Sequence, residues 1–486
     1  MVQALNAAGL RVGMDVVFNH TTAAGENDHS VLDEIVPGYY HRLGPNGQQL
    51  TDSCCADTAP ENHMMGKLVQ DSVVMWARDY HVSSFRYDVM SFIPRDVLVA
   101  LQARVDAAVG RHVQMLGEGW NFGTPANGAR FVQSSMFSLN GTGIGSFNPY
   151  LRDAVRGGSG FDSGSAMIAH QGWINGQFYD PNGHGSASAG DLMWSSDVVK
   201  AGLAGSVKGY VLDTSWDASL PLEQIDDGGT FLGYAAQLSE VVSYVENHDN
   251  QTLFDNNACK LPATTTQDDR ARVQMLGAAI VSFSQGVAYF HAGVDTLRSK
   301  SLDKNSYDSG DWFNKLDWSY GDNNFGVGLP MQSGNGSDWS VQQPLLANTL
   351  IKPTAAQIAW TRDQFRDLLR IRKSSTLLRL RSAADIRQRL KFWNTGSAQV
   401  PTVIVGDLDG SGYAGANFQE LTYFINVDRQ AHSITIPALA ARGFVLHPVH
   451  LAAGAADTRA AQAAYGSVTG TFTIPARTAV VFVVPQ

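Results

Sequence analysis

The stretch KLVQDSVVMWARDYHVSSFRYDVMSFIPRDVLVALQARVDAAVGRHVQMLGE, residues 67–118, reads as helix, strand, helix, strand. Residues 67–80 and 94–109 repeat apolar side chains at helical spacing, whereas 84–88 and 113–118 are short, nearly continuous strand-like runs. Buried strands alternating with amphipathic helices predict a parallel sheet covered by helices. Outward from this stretch, strand-like runs recur at 11–18, 208–212, 241–245 and 287–290, and helical patterns at 268–282 and 354–372. Long loops follow several of these strands, notably 19–66 and 121–200. Loops of that length inside a compact domain usually carry function.

After Ser374 the alternation stops, and short strands at 421–427, 432–436, 443–446 and 479–484 are separated by Gly, Ala and Asp turns. That change predicts an α/β part over 1–375 and an all-β sandwich over 376–486. The chain has 486 residues, 44% hydrophobic and 16% charged, against about 25% charged in average soluble domains. It can therefore build a large core. The net charge of −10, without a Lys/Arg cluster, argues against nucleic acid and anionic membranes as partners. No apolar run reaches the ~18 residues of a membrane span, and no basic-then-apolar leader is visible. The compartment and oligomeric state stay open. Cys54 and Cys55 are adjacent, a spacing that rarely forms a bridge.

In parallel α/β folds, catalytic groups collect at the C-terminal ends of strands. Here those ends read Asp15-Val16-Val17-Phe18-Asn19-His20, Phe85-Arg86-Tyr87-Asp88, Gly117-Glu118-Gly119-Trp120 and Glu246-Asn247-His248-Asp249-Asn250. Each residue alone has a plainer reading: a helix cap, a hydrogen-bonded core histidine, or for Arg86 a structural partner of Asp15 or Asp88. Carboxylates at three strand ends, with Arg and His beside them, fit glycoside hydrolysis, which needs a proton donor and a second carboxylate. A metal centre drawn from His20, His248, Asp15 and Asp249 lacks the short ligand spacing of zinc sites. Gly141-Thr142-Gly143-Ile144-Gly145 lies in a long loop, without the strand–turn–helix context of a phosphate-binding motif.

These four strand ends resemble the four signature regions of the α-amylase superfamily, and more narrowly its pullulanase and limit-dextrinase branch. The narrower markers are GEGW (117–120) and YVENHDNQTLF (244–254), with GTGIGSF (141–147), LRDAVRGG (151–158), LRSKSLDKNSYDSGDWFN (297–314), NNFGVGLP (323–330) and SCCADTAPE (53–61). The resemblance covers nearly the whole chain. It implies a (β/α)8 TIM-type barrel followed by a C-terminal β sandwich. It also implies retaining hydrolysis of α-1,6 branch linkages in pullulan, limit dextrins or glycogen-type glucans.

By the same resemblance Asp88 is the nucleophile, Glu118 the general acid and base, and Asp249 the carboxylate that stabilises the transition state. His20, Arg86, Trp120, His248 and Asn250 are the implied contacts to substrate, with Arg298 and Asp311 further out. No cofactor or catalytic metal is implied, a structural calcium is left open, and the paired cysteines read as a family feature and not as a redox site. The chain departs from the family pattern at Ser83, Ser84, Tyr87, Val89 and Asp295. It also begins where relatives already have two barrel strands, so a barrel short of its first strands is expected. The rival expectations are a catalytically impaired α-glucan-binding fragment and an α-1,4-acting amylase-type hydrolase.

Overall fold

The computed structural model describes residues Met1–Gln486, which divide into two compact units. The first comprises Met1–Phe147 with Tyr234–Val242, and the second Asn148–Gly233 with Ser243–Gln486. No helix is long and apolar enough to cross a membrane.

In the first unit, strands β1 (Gly13–Val16), β2 (Ser84–Tyr87), β3 (Gln114–Gly117), β4 (Gly145–Phe147) and, by its residues Val241 and Val242, β5 (Val241–Ser243) run parallel in that spatial order. Helices α1 (His63–Asp79) and α2 (Arg95–Val109) follow β1 and β2 in the chain and pack on each other. Pro94 fixes the entry to α2, and Gly110 at φ 68° closes it in the left-handed region, where a side chain would be strained. The apolar faces of both helices meet β2 and β3 in one core, with Val69, Val73, Phe85, Leu98, Leu101, Val105 and Met115 all buried. Burying each such side chain contributes about 1.5–3 kcal/mol, offset by the conformational entropy that ordering removes.

Several expectations need correction. The run at 208–212 is no member of the parallel row: Val211–Asp213 pairs antiparallel with Ser219–Pro221 in the second unit. The strand that was missed is β4, inside the glycine-rich stretch read as loop. At 121–200 there is also a 15-residue helix, Ala189–Leu203, capped by a reciprocal Ser188–Asp191 box. Of the (β/α)8 architecture that the resemblance implies, short of its first strands, the structure shows a row of parallel strands and no closed barrel. Within its unit β1 pairs only with β2, and its residues are largely exposed or half-buried where a central strand would be buried on both faces. Finally, Cys54 and Cys55 are joined as a disulfide between neighbours, against the expectation from their spacing.

The second unit ends in the antiparallel part. Strands β6 (Leu390–Trp393), β7 (Val403–Asp409), β8 (Phe418–Asn426), β9 (His432–Thr435), β10 (Val445–Leu446), β11 (Ala464–Gly466), β12 (Thr471–Ile474) and β13 (Thr478–Pro485) make two sheets. Their orders are β6-β7-β8-β13-β10 and β9-β12-β11. Val403, Val405, Phe424, Phe472, Ile474, Val480 and Phe482 fill one core between them, as alternating apolar positions of a sandwich do.

Candidate active site

The first unit brings Arg86, Asp88 and Glu118 together. Asp88 follows the last residue of β2, its amide donating to Val16 O at 3.0 Å, and Glu118 follows β3, its amide donating to Tyr87 O at 3.1 Å. The register that sets Tyr87 opposite Gly117 therefore puts the two carboxylates at the same end of adjacent strands. Arg86 points between them. Its Nη1 donates to Asp88 Oδ1 and to Asp15 Oδ1, both at 3.0 Å, and its Nη2 lies 2.9 Å from Glu118 Oε1. The Phe147 ring lies under the guanidinium, 5.9 Å from it. Burial works against the charge of Arg86, but Glu118, Asp15 and Asp88 outweigh it and raise its pKa above the ordinary arginine value.

Glu118 is 7% exposed and, besides this ion pair with Arg86, accepts a hydrogen bond from the Val89 amide to Oε2 at 3.0 Å. Val89 makes that contact with φ at 36°, a conformation that β-branched residues rarely adopt. The glycines on either side of Glu118 permit close approach: a Cβ at Gly117 would stand 2.5 Å from Tyr87 O, and one at Gly119 2.6 Å from Met136 N. Trp120 is half-buried beyond them.

Two departures from the family pattern are accommodated locally. Ser84 is met by Gly13, whose absent side chain leaves room for the Ser84 hydroxyl. Tyr87 is fully buried and its hydroxyl reaches only the Met115 sulfur at 3.6 Å, so burial raises its pKa.

His20 begins a short strand, His20–Thr21, paired with Ala56–Asp57. Its Nδ1 lies 3.0 Å from Asn19 Nδ2 and its Nε2 3.6 Å from Cys54 Sγ. The second unit holds the remaining predicted residues. His248 Nε2 stands 3.5 Å from Asp249 Oδ1, and Asp249 is 56% exposed at the side chain. Asn250 has φ 60° and packs against Gly160. Lys300 Nζ holds the loop by donating to His248 O at 2.8 Å.

Arg298 donates to Ala292 O at 3.2 Å and Asn314 O at 3.0 Å, and lies 3.1 Å from His291 Nε2. Its pKa is lowered, chiefly by burial. Asp311 is exposed and lines an open hollow of about 340 Å³ with Trp312, Asn314 and Lys315. His291 in turn pairs with buried Glu246 at 3.3 Å. Sequence reasoning did not single out Phe147, Asn19 or the Glu246–His291 pair. Glu246 and Asn19 stood inside quoted strand ends, and Phe147 closed the quoted run GTGIGSF, on the unrecognised strand.

A sequence model described as "Alpha-1,6-glucosidases, pullulanase-type, C-terminal" matches residues 320–485. The chloroplastic pullulanase 1 of Arabidopsis thaliana is 40% identical over 504 residues, covering 99% of this chain and 52% of that protein. The pullulanase of Klebsiella pneumoniae is 36% identical over 491 residues, covering 100% of this chain and 44% of that protein. The crystal structure of Klebsiella pneumoniae pullulanase complexed with maltotriose matches with a TM-score of 0.95 at 36% identity, covering 100% of this chain and 46% of that one. The chain thus spans about half the length of the curated relatives it matches. With a pullulanase-type C-terminal domain, these identities and a shared fold, the chain is similar to pullulanases over its whole length.

Proposed function

We propose that this chain carries the catalytic machinery of a retaining glycoside hydrolase that cleaves α-1,6 branch linkages in α-glucans such as pullulan or limit dextrins. The parallel strands are then part of a (β/α)8 barrel. The observation that carries the reading is one buried guanidinium holding two carboxylates at the ends of adjacent strands, Asp88 by Oδ1 and Glu118 by Oε1. Retaining hydrolysis needs such a pair about 5 Å apart. Maltotriose in a relative's crystal structure supports an α-glucan as ligand.

In this reading Asp88 attacks the anomeric carbon while Glu118 protonates the departing 6-oxygen. A covalent glycosyl–Asp88 ester forms, and Glu118, now a base, takes a proton from the water that hydrolyses it. Asp249 stabilises the oxocarbenium-like charge. His20, Arg86, Trp120, His248 and Asn250 position the sugars nearest the bond, with Arg298 and Asp311 further away. Acid, nucleophile and base are all side chains of the chain, so no cofactor is called for.

The test is digestion of pullulan by the purified chain, with Glu118→Gln as control. Maltotriose that appears with the wild type and not with the control is the expected result. Cleavage at α-1,4 bonds instead would overturn the specificity. A folded chain that binds pullulan without releasing product would be a glucan-binding protein and not a hydrolase.

A further inference from the structure

The His20 ring nitrogen and the sulfurs of Cys54 and Cys55 lie within 4.8 Å of one another, on a surface reachable from solvent. Cys54 is exposed, and Cys55 and His20 are half-buried. The geometry points to a site for a soft divalent cation of the zinc class, formed when the Cys54–Cys55 disulfide is reduced and held by both thiolates and His20 Nε2.

Zinc binds thiolate sulfur at about 2.3 Å and imidazole nitrogen at about 2.0–2.1 Å with tetrahedral angles, which separates sulfur from nitrogen by about 3.6 Å. Cys54 Sγ and His20 Nε2 are 3.6 Å apart already. The backbone pairing of His20 with Asp57 ties the histidine to the strand that follows the cysteines, so the ligands are brought together by the fold. Three protein ligands leave a fourth position for water.

A second observation fits the same site. Metal-bound imidazoles donate their other ring proton to a fixed acceptor. Asn19 is fully buried beside His20 Nδ1, and its Oδ1 has no hydrogen-bond partner. Turning that amide over places Oδ1 on Nδ1, where it accepts the proton and leaves the Nε2 lone pair for the metal.

The chemistry is in two steps. A dithiol or phosphine reductant supplies two electrons and, with solvent, two protons. The S–S bond breaks, two S–H groups form, and the reductant is oxidised to its disulfide or phosphine oxide. Zn²⁺ then displaces both thiol protons and forms two Zn–S bonds, with neutral His20 as third donor. If His20 contacts the glucan as proposed above, the bound ion occupies that edge of the ring and excludes the sugar. This last consequence rests on the functional reading, but the metal site does not.

The test uses Co²⁺ as the probe, because thiolate coordination gives it a near-ultraviolet charge-transfer band. The full chain is reduced with a phosphine, freed of reductant under anaerobic conditions and titrated. One Co²⁺ per chain is expected, displaced by Zn²⁺, with no band in the oxidised protein and none in Cys54→Ser/Cys55→Ser. His20→Gln is expected to weaken binding at least tenfold. The oxidised wild type serves as the folded control for each variant. Absence of the band after reduction overturns the proposal, as does its persistence in the double serine variant. Zn²⁺ that binds but leaves pullulan affinity unchanged keeps the metal site and removes His20 from the glucan contacts.

Discussion

Arg86 Nη2 lies 2.9 Å from Glu118 Oε1, although the two side chains come from different strands and Glu118 stands two residues beyond the Leu116 that faces Arg86. A planar guanidinium can hold Asp15, Asp88 and Glu118 at once, whereas an ammonium group offers no rigid fork. Arg86→Lys keeps the charge and loses that geometry. Its kcat/KM on pullulan is expected to fall by about 100-fold or more while its melting temperature changes little. A variant within a factor of three of wild type would show that Arg86 does not align the carboxylates.

Tyr87 places a hydroxyl in the core with only a sulfur to receive it. A buried hydroxyl with so weak a partner contributes little. Tyr87→Phe is therefore expected to leave stability within about 0.5 kcal/mol of wild type, or raise it. Chemical denaturation measures this, and a loss above about 2 kcal/mol would point to a partner not accounted for.

Glu420 on β8 is buried beside the Asp407 carboxylate of β7. Burial first, then that neighbour, pushes its pKa up to about 7 from 4.5. A raised acid costs the fold stability above pH 7, and the cost fades as pH falls from 7 to 4.5. Glu420→Gln is expected to stabilise the chain at pH 8 by about 1–3 kcal/mol, with the advantage gone near pH 4.5. Melting curves of both proteins across that range check it, and an advantage that grows on acidification would refute it.

His450 works in the opposite sense. Burial lowers its pKa to about 4, and its Nε2 accepts the Val481 amide at 3.1 Å, which a protonated ring could not do. Stability from a lowered base is complete above 6.5 and is lost as pH falls from 6.5 to 4. His450→Gln does not titrate. Whatever its stability at pH 7.5, the wild type's margin over it should shrink by about 1–3 kcal/mol by pH 4. A margin independent of pH would mean that His450 is not the titrating group.

How much of this was legible depended on what each segment buries. Asp88 and Glu118 could be read because an apolar run ending in Arg, Asp or Glu is unusual, and β2 and β3 are such runs. Strand β4 could not, because Gly145 is glycine for a close approach: a Cβ there would stand 2.8 Å from Ser239 O. A short strand with glycine where others carry valine looks like loop. The helix Ala189–Leu203 hid for the opposite reason. Ten of its residues are buried, Asp197 and Lys200 among them as an ion pair, so it shows no polar stripe. The run at 208–212 has strand character, but nothing in five residues distinguishes a parallel row from a hairpin.

Gly117 and Gly119 leave Glu118 between two positions where even one methyl group would strike backbone at 2.5 and 2.6 Å. Alanine is one base change away from every glycine codon, so random drift tries that replacement often and the fold rejects it at both places. Glu118 therefore lies in a segment where chance variation registers as loss and not as altered preference. A lineage changing what it binds would have to vary its loops and leave this tripeptide alone.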